Sequence, residues 1–360
     1  MNHTNTVGLY RMPNSAKSEA GMGQLLKGKW CDDDDVIQDG AYLRQASKFR
    51  VEGSDNLDVH GNVGRYHLIV SDTCPWSHRV RIICLLKNLS DCLPTHLLSG
   101  PRVEGYALSA GRPWIIPGAK KTAIHLHQLY TMVNPDYTGR STVPVLWDSK
   151  NLDIVTNESV DILRLLDGIP SKSDHPDIIF NPPELITQIK ELNQQIYSGF
   201  NNAVYQIGFS TSDIARETAI KTVLETMAYL EHRLSDKRFL FGSLMTESDW
   251  RLFPTLVRFD QVYAPIFIRR GISLTDFPNL WDYARDLYAI PGISGTIVFE
   301  ANRASSVEND VSGVEMGEIN QPDWSKPHGR DRLGSGQIAL RSGQVTGLIE
   351  AFDTSERRAG

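Results

Sequence analysis

The chain has 360 residues, 41% hydrophobic and 22% charged, with 37 Lys and Arg against 43 Asp and Glu and a formal net charge of −6. That length predicts more than one domain and that apolar content a packed core, while the acidic balance excludes the basic footprint of a nucleic-acid binder. No apolar run approaches the roughly 20 residues that cross a bilayer, and the start MNHTNTVGLYRMPNSAKSEAG lacks a signal peptide's hydrophobic centre, so the expectation is a cytoplasmic protein with no membrane partner.

Residues 1–60 read as an N-terminal extension whose first 23 residues are polar and loose. The run Asp32–Asp35 reads as a solvated acidic turn, since consecutive carboxylates cannot all face one ion. From residue 61 to 168 the pattern tightens. RYHLIV predicts a strand, SDTCPWSHRVRIICLLKNL a turn and a helix, and His96–Leu98 a second short strand. A Gly/Pro-rich loop and a helix over Thr122–Val133 follow, then TVPVLWD and LDIVTN as a hairpin and NESVDILRLL as a helix with Asn157 as its N-cap. The order β-α-β-α-β-β-α is that of an α/β thioredoxin-like domain.

Residues 169–183 are rich in Pro and Ser and read as an interdomain linker. An all-helical region is expected over 184–300, with helices at Leu185–Gly208, Asp213–Leu234, Thr246–Tyr263 and Asp276–Tyr288 and a capping box from Thr246 to Asp249. Residues 301–360 are expected to form a C-terminal extension, extended or disordered in part, because Ser305–Gly360 has weak periodicity and many Gly and Ser.

Four cysteines in a reducing compartment do not make a disulfide framework, and none has zinc-finger spacing with histidines, so no metal is expected. Cys74 stands where a strand hands over to a helix. A thiol there meets the positive end of the helix dipole and unpaired backbone N–H groups, which favour thiolate, and Pro75 fits the first helical position. Ser77 occupies the place where a dithiol redox motif carries its second cysteine. An oxidised Cys74 therefore resolves with an outside thiol, and the abundant cytosolic one is glutathione. Cys84, within IICLL, reads as a core thiol, and Cys31 and Cys92 as structural.

Proline at the start of a central strand breaks the ladder unless a cis bond presents the backbone of the preceding residue to a ligand, so Val143-Pro144 is a candidate ligand edge; the bland alternative is an edge-strand proline. At Asn157-Glu158-Ser159, helix-start amides and the Ser159 hydroxyl suit a carboxylate and Glu158 an ammonium, the two charges of a γ-glutamyl end; an ordinary cap is the alternative.

Taken together these residues resemble the glutathionyl-hydroquinone reductases, the Xi class of the glutathione transferase superfamily. GQLLKGKWCDD, RYHLIVSDTCPWSHR, NPDYTGRSTVPVLWD, IVTNESVDILRLL, LNQQIYSGFNNAVYQIGF, RFDQVY, PNLWDYARDLYAIPGI and KPHGRD carry the resemblance, over roughly residues 22–334. It implies a thioredoxin-like domain followed by an all-α domain, usually in a homodimer, with glutathione as co-substrate. Cys74 matches the family's catalytic cysteine, and Val143, Pro144, Glu158 and Ser159 its glutathione contacts. A family tryptophan has Tyr106 or Trp114 as its counterpart, and Tyr205 matches a tyrosine near the quinol. The implied chemistry is removal of glutathione from an aromatic conjugate through a Cys74–glutathione mixed disulfide, with release of oxidised glutathione. The chain departs from the family where Ser305-Ser306 replaces an aromatic pair, where IFIRRG follows RFDQVY, and at His127, which takes an arginine's place. The competing readings are a transferase or C–S lyase acting on another electrophile or thioether, and a non-catalytic binding module. Tyr197, Tyr229, Phe259, Tyr263, Trp281 and Tyr288 read as core or interface packing.

Overall fold

The computed structural model describes residues 23–32, 37–51, 57–100, 102–172, 175–309 and 320–352. The loose start and most of the Asp32–Asp35 turn lie outside them; Asp32 itself accepts a hydrogen bond from Trp30 Nε1.

The first layer is a four-stranded mixed sheet in the order β4-β3-β1-β2, where β1 is Tyr66–Ser71, β2 Thr95–Leu98, β3 Val145–Asp148 and β4 Asp153–Thr156. β1 runs parallel to β2 and antiparallel to β3, with Ile69 opposite Val145. Its Leu68, Ile69 and Val70 are solvent-free on both faces, which accounts for the unbroken apolar run. Helices α1 (Pro75–Leu86), α2 (His127–Val133) and α3 (Ser159–Gly168) complete the thioredoxin-like domain. α1 ends at Lys87, followed by Asn88 in the left-handed region that Asn tolerates, and buried Lys87 Nζ donates to the Asp167 and Ile178 carbonyls.

Two local expectations change. The helix expected over Thr122–Val133 begins only at His127, because Thr122–Ala123 pairs as a strand with Trp114–Ile115. Asn157 is not the N-cap of α3. Glu158 is, its side chain accepting from the Val160 amide, while Asn157 turns inward to Tyr130 and Phe49.

The second layer is helical: α4 (Ile186–Ile196), α5 (Ala203–Phe209), α6 (Asp213–Arg233), α7 (Glu247–Leu256), α8 (Pro278–Tyr288) and α9 (Phe299–Asn309). The single helix expected over Leu185–Gly208 is split by a π-helical turn at Tyr197–Asn201, and the one over Thr246–Tyr263 ends at Leu256 before a π-helical segment at Phe259–Ile268. Such wide turns shift the helix phase and gather at functional sites. Pro254 lies inside α7, and its carbonyl accepts from the Arg258 guanidinium. The Thr246–Asp249 capping box is present, and Asp249 also accepts from Leu240 N and Tyr283 Oη.

Among the described residues after Ser305, regular structure is present. α9 continues to Asn309, and Gln337–Leu340 pairs with Ile178–Ile179, Leu244–Met245 and Val345–Gly347. Arg330 explains the docking: fully buried, its guanidinium donates to the carbonyls of Leu234, Lys237, Arg238 and Asn279, which lie at the end of α6, in the loop after it and in α8. No helix among the described residues is long and apolar enough to cross a membrane.

Arg330→Gln should lower the free energy of unfolding by about 3 kcal/mol, because truncating the guanidinium orphans several buried carbonyls. The check is urea denaturation; a midpoint equal to wild type would remove Arg330 from that role.

Candidate active site

The end of β1 delivers Cys74 to the N-cap of α1, with extended backbone angles (φ −86°, ψ 118°) and no side-chain cap. The amides of the first turn thus have no intrahelical acceptor, and Cys74 Sγ occupies the place a capping oxygen would take. The thiol is 7% exposed and contacts the Val143 carbonyl at 3.7 Å. Ser77 Oγ accepts from the Ser71 amide at 3.3 Å, so its hydroxyl is committed to the turn.

The Val143-Pro144 peptide is cis. A buried web supports that edge: Tyr130 Oη donates to the Thr142 carbonyl at 2.7 Å and accepts from the Thr142 amide at 3.1 Å. Asn157 Nδ2 donates to Tyr130 Oη at 3.1 Å, and Asn157 Oδ1 accepts from the Phe49 amide at 3.2 Å. Glu158 accepts from Ser47 Oγ, Ser159 Oγ and the Val160 amide. Burial pushes its carboxyl upward, but the Val160 amide, Arg79, Ser47 and Arg44 outweigh that and hold it below the usual range.

Cys74, Tyr106, Val143, Asn157 and Tyr205 line one pocket between the two layers. Pro144, Glu158 and Ser159 adjoin it through Val143 and Asn157. Trp114 lies elsewhere, edge-on to His96 at 5.1 Å, so of the two candidates for that position Tyr106 is the one in the pocket. His127 stacks on Trp30 and pairs with Glu104 at 3.0 Å. Ser306, on α9, lines the pocket opposite the thioredoxin-like layer.

The helical wall is aromatic. Tyr205 stacks on Trp76 at 6.2 Å and on Phe209 at 5.8 Å, and its hydroxyl lies 3.3 Å from that of Tyr263. Tyr263, expected in core or interface packing, is buried in the hydrophobic core, and from the π-helical segment after α7 it also lines the pocket, for which RFDQVY was the only signal. Arg258, from the same motif, is buried at the pocket floor. Its Nη1 donates to His78 Nδ1 at 2.9 Å, so His78 carries its proton on Nε2 and donates to Thr296 Oγ1 at 2.7 Å. Burial, then Arg258 and Arg81, hold His78 well below its ordinary range, in the neutral form. Arg44, from the N-terminal extension, lies over Trp76 with 4.4 Å to the ring centroid. Nothing in its own stretch of sequence marked it.

This arrangement can present a single thiol to a disulfide or thioether sulfur beside an extended backbone edge, with two tyrosine hydroxyls on the far wall.

Residues 73–169 match the family model of the glutathione S-transferase N-terminal domain, and 213–286 that of the C-terminal domain. Among curated proteins, the glutathionyl-hydroquinone reductase YqjG of Escherichia coli is 38% identical over 332 residues, covering 86% of this chain and 99% of that protein. The glutathionyl-hydroquinone reductase PcpF of Sphingobium chlorophenolicum is 36% identical, covering 72% and 83%. Among solved structures, a Xi-class glutathione transferase from Natrialba magadii superposes with a TM-score of 0.72 at 31% identity, covering 86% and 97%. Glutathione-bound YqjG superposes with a TM-score of 0.69 at 35% identity, covering 85% and 99%. With the cysteine, the cis-proline edge and the two layers in the family's order, the chain belongs to the glutathionyl-hydroquinone reductases, the Xi class of the glutathione transferases.

Proposed function

We propose that this protein is a glutathione-dependent oxidoreductase that removes glutathione from glutathionyl-hydroquinone-like aromatic conjugates. The observation that carries the reading is a lone reactive-position thiol, Cys74, facing the cis Val143-Pro144 edge in the same pocket as Tyr205 and Tyr263.

The glutathionyl part binds the thioredoxin-like side. Its backbone pairs with Val143 beside Pro144, and Tyr106 packs against it. On binding, the Ser159 hydroxyl turns from Glu158 to the γ-glutamyl carboxylate, which the positive start of α3 also favours. Glu158 takes the ammonium; its depressed pKa keeps it anionic across neutral pH, and Ser47 Oγ and the Val160 amide fix its orientation. The aromatic ring then meets the Trp76–Tyr205–Tyr263 wall.

In the conjugate's keto tautomer the Cys74 thiolate attacks the glutathionyl sulfur, the S–S bond forms and the C–S bond breaks, its electron pair passing through the ring to the carbonyl oxygen. Tyr205 delivers a hydrogen bond or proton to the departing ring oxygen, and the adjacent Tyr263 hydroxyl orients that of Tyr205. A second glutathione attacks the Cys74 mixed disulfide, giving oxidised glutathione and free enzyme. Ser77 cannot intercept the mixed disulfide, because it has no thiol. A conjugating transferase would activate glutathione's own thiol with a hydroxyl; here the group at the helix start is itself a nucleophile, which favours the reductase over the transferase or lyase reading. A non-catalytic module would not need that thiol facing the edge. We further propose a cytoplasmic homodimer, which sedimentation of the purified protein checks.

Intact mass after mixing with glutathionyl-menadione should show a glutathione adduct on wild type that added glutathione clears with quinol release, and none on Cys74→Ala. An adduct from glutathione disulfide but not from aryl conjugates would move the substrate away from quinols. Tyr205→Phe should lower kcat for quinol release by about 10²-fold with little change in KM, read by steady-state absorbance. An unchanged kcat would take Tyr205 out of the proton step.

A further inference from the structure

The proposed chemistry leaves the cationic side chains of the pocket without a step. Five side chains lining it are basic (Arg44, Lys48, Arg102, Arg140 and Arg258) and none is Asp or Glu, in a chain of net charge −6. They are not equivalent. Arg258 is 2% exposed, and its Nη groups donate to His78, to the Pro254 and Asp72 carbonyls and to Asn302 Oδ1, so it supplies fixed charge but no free Nη donor. Lys48 donates to the Thr138 carbonyl, and Arg140 to Tyr42 Oη.

Arg44 differs. It is partly buried and held by the face of Trp76, a contact that uses no N–H, and among the described residues its guanidinium makes no hydrogen bond or ion pair. A partly desolvated cation with five idle donors is costly until an anion arrives. Burial opposes its charge, while Tyr42, Tyr197, Tyr205 and Cys74, groups that can each turn negative, favour it and carry its pKa above the ordinary value. Trp76 lies two residues after Cys74 and stacks on Tyr205, and Arg44, Cys74 and Tyr205 all line the same pocket.

We propose that Arg44 binds the ring oxygen of the departing hydroquinone as an oxyanion, on the pocket wall that Trp76 and Tyr205 form. This rests on the reductase reading. In the keto tautomer of the conjugate, the Cys74 thiolate attacks the glutathionyl sulfur, the S–S bond forms and the C–S bond breaks. The electron pair of that bond passes through the ring to the carbonyl oxygen, which becomes a phenolate and then takes a proton from Tyr205. The ring is reduced by two electrons as the Cys74 thiolate and the thioether sulfur become a disulfide, so no outside oxidant enters. A donor aimed at the developing charge accelerates the cleavage step itself.

The test is single-turnover quinol release from glutathionyl-hydroquinones bearing methyl, hydrogen or chlorine on the ring, for wild type, Arg44→Gln and Arg44→Lys. Adduct formation from glutathione disulfide reports the folded glutathione half. Arg44→Gln should slow release by about 10²-fold for the least acidic ring and much less for the most acidic. The plot of log rate against phenol pKa therefore steepens, and Arg44→Lys recovers part of the loss. An unchanged slope with impaired adduct formation from glutathione disulfide would place Arg44 on a carboxylate of glutathione and overturn the proposal. Wild-type rates in Arg44→Gln would do the same. Wild type that forms the disulfide-derived adduct yet releases quinol from none of the conjugates would sink the reductase reading, and this inference with it.

Discussion

The site depends on Arg258, a buried cation that ties the two layers together around Cys74. Its guanidinium reaches the Asp72 carbonyl and His78 on the thioredoxin-like side and the Pro254 carbonyl and Asn302 on the helical side. None of these partners is a carboxylate, so the charge is hydrogen-bonded without being neutralised. A hydrogen-bonded cation left this way projects its potential into the pocket, where a thiolate and a departing ring oxygen both carry negative charge. His78 can serve only as a neutral acceptor toward Arg258, which is why its depressed pKa and the fixed tautomer belong to the same device.

The opposite wall is set by a second buried web. Tyr130, Thr142 and Asn157 exchange hydrogen bonds behind the cis Val143-Pro144 peptide, and Phe49 joins them through its amide. Without these bonds the segment before Pro144 would hold unsatisfied backbone groups at Thr142. The web also reaches α3, because Asn157 precedes its capping residue Glu158. The cis-proline edge and the start of α3 are thus parts of one rigid unit, and residues 37–51, distant in sequence, close it from outside through Ser47 and Phe49.

Cys74 was legible because its signals are local: a strand, a proline at the first helical position, and Ser77 three places on. The β-α-β-α-β-β-α order was legible for the same reason, since period and turn chemistry act over short spans. Asn157 misled because Asn and Glu both cap helices, and only the buried Tyr130 hydroxyl draws Asn157 away. Tyr263 and Arg258 sit in an apolar run that reads as core; a π-helical segment, which carries no sequence signature of its own, begins directly after Arg258 and contains Tyr263. Arg44 was invisible because its meaning lies in Trp76 and Tyr205, contributed by other elements.

Overall charge misleads about the pocket in the same way. An acidic total argues correctly against nucleic acid, yet the pocket lining carries only basic side chains among its charged members. Field lines concentrate in a cleft with low-dielectric walls, so local sign, not the sum over the surface, decides which ligands gather there. Glutathione and its conjugates bear two carboxylates against one ammonium, and the acidic exterior leaves the cationic cleft as the attractive region for them. The two fixed roles then separate: Arg258 supplies charge with its Nη donors occupied, and Arg44 supplies donors that remain to be used.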